Sequence, residues 1–144
     1  MNKRIIPALA GACAFAIIGM APAAFAETVN LKASLKGSEE VPPNTTPGTG
    51  AVQATYDTAT KQLSYTVNYS GLTGNATAAH FHGPAEAGKN ASVVVPVKGS
   101  VASPIKGDAK LTDAQAADLL AGKWYFNVHT EANKPGEIRG QVTK

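Results

Sequence analysis

Through most of the chain apolar residues alternate with polar ones, at the period of two that sends successive side chains to opposite faces of a strand. Leu31, Ala33 and Leu35 form one such run, Val52, Ala54 and Tyr56 a second, and Leu63, Tyr65, Val67 and Tyr69 a third. Asp57-Thr58-Ala59-Thr60-Lys61 separates the last two, which together predict a hairpin. Four further runs, over 77–82, 91–97, 123–129 and 137–143, are bounded by Gly, Pro or Asn and predict strands. Pro96 cannot donate to a ladder, so its run predicts an edge strand or a bulge. Between the first two strands, residues 37–50 form a loop rich in Pro, Gly and Thr.

One segment breaks this period. Residues 114–121 are rich in Ala and Leu, Thr112 is a good N-cap, Gln115 follows three positions later as in a capping box, and Gly122 can end the helix. A short helix over 112–121 therefore joins two strands. Seven short strands with one small helix predict an all-β fold: an antiparallel Greek-key β-sandwich or open barrel.

The start of the chain follows another logic. Lys3 and Arg4 precede an apolar stretch from Ile5 to Met20, and Ala24-Phe25-Ala26 is a small-x-small site. Residues 1–26 thus read as a secretory signal peptide, and 27–144 as a single β domain that is periplasmic or secreted. This division alters the chemistry. The whole chain has 13 Lys+Arg against 10 Asp+Glu; without Lys3 and Arg4 the domain is nearly neutral, which argues against a nucleic-acid partner. No later apolar run nears the roughly 20 residues of a membrane span. Cys13, Met1 and Met20 also lie in the leader, so the domain carries no sulfur. Disulfides, thiol nucleophiles and thiolate metal sites are excluded, and any metal must be held by nitrogen and oxygen.

Three histidines supply the candidate donors. His80 and His82 lie one strand repeat apart and share a face, with Phe81 pointing the other way. In the run Trp124-Tyr125-Phe126-Asn127-Val128-His129 the core takes Trp124, Phe126 and Val128, leaving Tyr125, Asn127 and His129 opposite. Were the two strands neighbours, His129 would complete a three-nitrogen site suited to copper, zinc, iron or nickel, with a position open for water or substrate. In the last run Ile138 and Val142 face the core, and Glu137, Arg139 and Gln141 lie on the other side. Glu137 and Asn127 are the expected groups behind the ligands, Glu137 by orienting an imidazole, and Arg139 is the expected catalytic residue, attracting an anion. Glu39 and Glu40 are adjacent, point apart on an extended chain, and read as a solvated loop. No Gly-x-Ser-x-Gly elbow is present.

Three ordered motifs carry a family resemblance: Leu35-Lys36-Gly37-Ser38-Glu39-Glu40-Val41-Pro42-Pro43, Ala79-His80-Phe81-His82-Gly83-Pro84-Ala85, and Tyr125-Phe126-Asn127-Val128-His129-Thr130 with Pro135-Gly136-Glu137-Ile138-Arg139-Gly140-Gln141-Val142. The sequence resembles the CHRD domain, a module of the secreted protein chordin and of bacterial exported proteins. The resemblance implies an extracytoplasmic β-rich domain, and its motifs fall on His80, His82, His129, Glu137 and Arg139. The histidine arrangement is also similar to copper–zinc superoxide dismutases, which hold copper with a His-x-His and further histidines near an Arg. Too few histidines remain for a zinc subsite and no disulfide can form, so this similarity implies at most a copper-only site, with zinc the alternative ion and superoxide the small-anion substrate. Two other roles stay open: a non-catalytic structural or protein-interaction module, and a periplasmic metal carrier.

Overall fold

The computed structural model describes residues 26–144. The segment read as a signal peptide lies outside them but for Ala26. The chain forms strands β1 (Thr28–Lys36), β2 (Thr49–Asp57), β3 (Gln62–Ser70), β4 (Ala76–His82), β5 (Val93–Pro96), β6 (Ile105–Lys110), β7 (Tyr125–Thr130) and β8 (Ile138–Gln141). A single 3-10 turn (Gly37–Glu39) follows β1, and one helix, α1 (Asp113–Leu120), links β6 to β7. Among the described residues no helix is long and apolar enough to cross a membrane.

All eight strands join one sheet in the order β5-β4-β7-β8-β1-β2-β3-β6. Every pairing is antiparallel, and the sheet curls into a nearly closed barrel. Of the two architectures the pattern allowed, this is the open barrel. β1, β2 and β3 form a meander, and β8 returns from the far end of the chain to lie beside β1, a Greek-key arrangement. That return sets Arg139 beside Lys36 of β1, while the pairing of β8 with β7 places it opposite Asn127.

The alternating residues fill the interior as expected. Leu31, Ala33, Leu35, Val52, Ala54, Tyr56, Leu63, Tyr65 and Val67 are buried along β1 to β3, and Phe81, Phe126, Val128 and Ile138 meet them from the other half. Phe81 stands edge-on to Tyr65 and Phe126, with ring centroids 5.0 and 4.8 Å apart. The helix closes one end by burying Ala116 and Leu119. Its capping box is complete: Thr112 Oγ1 accepts from Gln115 N (3.2 Å), and Gln115 Oε1 accepts from Thr112 N (2.9 Å). Gly122, just beyond the last turn, takes a positive φ of 74°.

Two features depart from the alternation. β6 is a strand the pattern does not announce, because Gly107 and Asp108 are poor strand formers and Lys106 and Lys110 leave few apolar positions. It pairs along β3 from Gln62 to Val67, and Gly107 is needed where the Tyr65 ring crosses the ladder. β7, in contrast, is buried on both faces. Tyr125 and Asn127 do point away from the core, but loop residues 37–48 and 83–92 roof that side through contacts to Gly136, Glu137, Arg139 and Gln141. β5 is an edge strand, as Pro96 predicted, and its register against β4 shifts between Phe81 and His82.

Gly140 tests how tightly β8 is set against β1. A Cβ there would collide with the Ser34 carbonyl oxygen of the β1 backbone, whereas one at Gly107 would meet the hydroxyl and ring edge of the Tyr65 side chain rather than backbone. Gly140→Ala is expected to destabilise the domain by about 2–4 kcal/mol in denaturant unfolding, and Gly107→Ala by clearly less. Equal losses at the two positions would show that the β8–β1 contact yields more readily than its geometry indicates.

Candidate metal centre

β4 and β7 are neighbours, with His80 directly across from Asn127 and Ala78 across from His129. The two-residue period therefore gathers all three histidines on one face, and one nitrogen from each of His80, His82 and His129 lies within 4.8 Å of the others. His82 is buried, while His80 and His129 are half-buried at the surface end of the cluster. The broad groove lined by Asn30, Gln53, Thr66, Lys106 and Asp108 belongs to the other half of the sheet and does not include this cluster.

Backbone carbonyls fix two of the three rings. His82 Nδ1 lies 2.9 Å from Ala91 O, and His129 Nδ1 lies 2.7 Å from Lys134 O. A carbonyl oxygen can only accept, so both Nδ1 atoms carry the proton, and in the neutral rings both Nε2 atoms carry a lone pair. These nitrogens point inward. His129 Nε2 is 3.2 Å from His80 Nδ1, and both Nε2 atoms approach Asn127 Oδ1, at 3.0 Å from His82 and 2.9 Å from His129. Burial, reinforced by the neighbouring imidazoles, lowers the pKa of His80; burial likewise lowers that of His82. Those two rings stay neutral at pH 7, the form that ligates a metal. Three converging imidazole nitrogens with outer N–H groups held by carbonyls make a donor set that fits a borderline divalent ion.

Arg139 stands beside this cluster in an unexpected posture. It is 2% exposed, its guanidinium lies 3.4 Å from the Tyr125 ring centroid, and it donates to Asn90 Oδ1 (2.9 Å) and Lys89 O. Tyr125 in turn stacks on His82 with only 2° between the planes, and its hydroxyl engages Ala91 N and O. Arg139 thus braces the 89–91 loop whose carbonyl orients His82. Sequence position gave its strand face correctly but could not show that a loop covers it.

Glu137 was expected to orient an imidazole, and the structure corrects this. Its buried carboxylate accepts from Thr46 Oγ1 (2.5 Å), Thr73 N (2.7 Å), Thr73 Oγ1 (2.8 Å) and Thr130 Oγ1 (2.6 Å), while backbone carbonyls orient the histidines. Burial would raise its pKa, but these four bonds outweigh it and hold it at about 2. A second correction concerns Glu40. Far from being solvated, it is 5% exposed, its Oε1 has no hydrogen-bond partner, and its carboxyl packs against Gly136. Burial pushes its pKa up to about 7 against the opposing pull of Arg139, Asn127 and the Val41 N–H. Its neighbour Glu39 is exposed, and only the turn at Gly37–Glu39, which hides one of the pair, distinguishes them.

The two carboxylates give opposite pH dependences. Glu137 titrates at about 2 in the fold and near its ordinary 4.5 when unfolded, so its stabilisation is present above pH 4.5 and is lost as pH falls toward 2. That loss is on the order of 3 kcal/mol, and in denaturant titrations Glu137→Gln is expected to remove this acid limb and to cost about 2–4 kcal/mol at pH 7. Glu40 binds its proton more tightly folded than unfolded, so its contribution is lost as pH rises from 4.5 through about 7. Glu40→Gln should flatten that interval and leave the acid limb intact; an unchanged profile in both variants would contradict these assignments.

Residues 31–142 match the CHRD domain. No match to the chain was found among curated proteins or among solved structures. The matched stretch begins within β1, ends just after β8 and takes in the three histidines together with Glu40, Glu137 and Arg139. A family match over so much of the sequence shows that the chain belongs to the CHRD domain family.

Proposed function

We propose that this domain is exported to the periplasm or beyond the cell and binds one copper ion through His80, His82 and His129, with superoxide dismutation as its activity. The observation that carries the reading is the convergence of the imidazoles: Ala91 and Lys134 carbonyls hold the outer N–H groups of two rings, so that both inner lone pairs aim at the space beside His80 Nδ1. A hydrogen-bonded network has no need to gather lone pairs in this way, but a cation does. The nitrogen-only side chains suit copper(II) or zinc(II), and of the two only copper could supply the one-electron exchange that dismutation needs.

Bound copper would supply one-electron exchange, oxidising one superoxide to dioxygen and reducing a second, with two protons, to hydrogen peroxide. The protein's part is to favour the neutral form of His80 and His82, to orient His82 and His129, and to leave the His80 and His129 side half-open to a small anion. Arg139 contributes positive charge from behind Tyr125 and His82 rather than by reaching into solvent. A non-catalytic role, as a metal carrier or a protein-interaction module, is favoured by one observation: His80, His82 and His129 all have hydrogen-bond partners within the domain.

Metal analysis of purified protein after exposure to copper(II) and dialysis is expected to give one ion per chain, and His80→Ala, His82→Ala to abolish it. Only trace, nonstoichiometric copper in the wild type would overturn both the enzyme and carrier readings. Loaded protein should remove superoxide faster than free copper–histidine complexes, with a rate that falls as salt screens the site. Stoichiometric copper with no such activity would leave carriage as the function.

A further inference from the structure

Asn127 poses a problem that hydrogen bonding alone does not solve. Its Oδ1 lies 3.0 Å from His82 Nε2 and 2.9 Å from His129 Nε2. Both nitrogens bear lone pairs, because the protons of those rings are committed to the Ala91 and Lys134 carbonyls. An amide oxygen has no proton to give. His80 Nδ1 can donate to His129 Nε2, but neither imidazole nitrogen has a proton for Asn127 Oδ1, a group only 2% exposed, and these acceptor–acceptor contacts are costly unless something positive lies among them.

This proposal deepens the metal reading and rests on it: we infer that Asn127 Oδ1 is the fourth donor of the site, turned toward the imidazoles by Glu40 on its far side. The register puts Asn127 directly between His80 on β4 and Arg139 on β8. Asn127 lowers the pKa of the Glu40 carboxyl, the effect of an amide N–H₂ group facing it, and that orientation leaves the oxygen for the histidines. Turned round, the amide would set its oxygen against the Glu40 carboxylate, whose charged form Arg139 favours. Donors held about 2.0–2.2 Å from a tetrahedral ion stand roughly 3.3–3.6 Å apart, so the separations of 2.9, 3.0 and 3.2 Å would open by a few tenths of an ångström, while the histidine nitrogens, spread over as much as 4.8 Å, would draw together.

Three imidazoles and an amide oxygen make a harder donor set than three imidazoles alone. The oxygen holds copper(II) or zinc(II) more firmly than copper(I), which is content with fewer and softer donors. Asn127 would then set which oxidation state the site prefers.

The test compares wild type, Asn127→Leu and Asn127→Asp in chelator competition with copper(II) and, separately, copper(I). Asn127→Leu, close in size but without the oxygen, is expected to lose copper(II) affinity by about tenfold or more while copper(I) affinity changes little. Asn127→Asp retains an oxygen and should bind copper(II) at least as tightly as wild type. Because a buried substitution can unfold the domain, pulsed electron paramagnetic resonance on copper(II)-loaded wild type labelled with ¹³C-asparagine gives an independent reading. A strong coupling to one amide carbon supports ligation, and its absence overturns it. Copper(II) affinity unchanged in a folded Asn127→Leu protein would also overturn this proposal while leaving the three-histidine site intact, whereas a wild type that binds no copper removes that site as well.

Discussion

The buried carboxylate of Glu137 is the fastening on which the functional face depends. Its four hydrogen bonds come from three separate parts of the chain: Thr46 in the loop after β1, Thr73 in the turn before β4, and Thr130 at the end of β7. A carboxylate without such partners would not stay charged in the interior, and threonines without it would lose their shared acceptor. The backbone of the same segment is held too, since Asn44 Nδ2 donates to Glu137 O at 3.0 Å. Through these bonds the roof over β7 and β8 is fixed where the barrel's hydrophobic interior cannot reach it. Glu40, Asn127 and Arg139 can be buried outside the barrel because that roof is present.

The histidines occupy the rim of this second, polar interior. Its interactions meet at the 89–91 loop, which accepts from Arg139 on one side and from His82 Nδ1 on the other, and His82 extends them to the point shared with His80 and His129. Each link is a donor meeting an acceptor until Asn127 Oδ1, which faces the lone pairs of His82 Nε2 and His129 Nε2. The stretch matched by the CHRD domain spans both the fastening and the cluster, Glu137 in one and the histidines in the other.

How much of this was legible in the sequence depended on whether the information was local. Alternation located seven strands and the interior side of most of them, and the Thr112–Gln115 spacing located the helix, because both are set by neighbours within a few residues. The histidine cluster was legible for the same reason, with one assumption about which strands pair, and β4–β7 pairing met it. β6 escaped because its place is assigned by β3 rather than by its own residues. The posture of Arg139, the role of Glu137 and the burial of Glu40 escaped because alternation distinguishes two faces but does not say that loops cover the outer one. The only hint was compositional: Thr46, Thr73 and Thr130 lie near turns, where threonine is too common to draw notice.

The barrel's incompleteness has a consequence of its own. A fully closed cylinder has no free strand, but this one leaves β5 and β6 at its two ends, each with backbone groups able to recruit a foreign strand. β5 is only four residues long and ends in Pro96, which has no N–H to offer, while β6 carries Lys106, Asp108 and Lys110 along its length. Residues that look like poor choices for strands are therefore gatekeepers here. They resist templated growth of the sheet in a domain that has no disulfide to hold it shut.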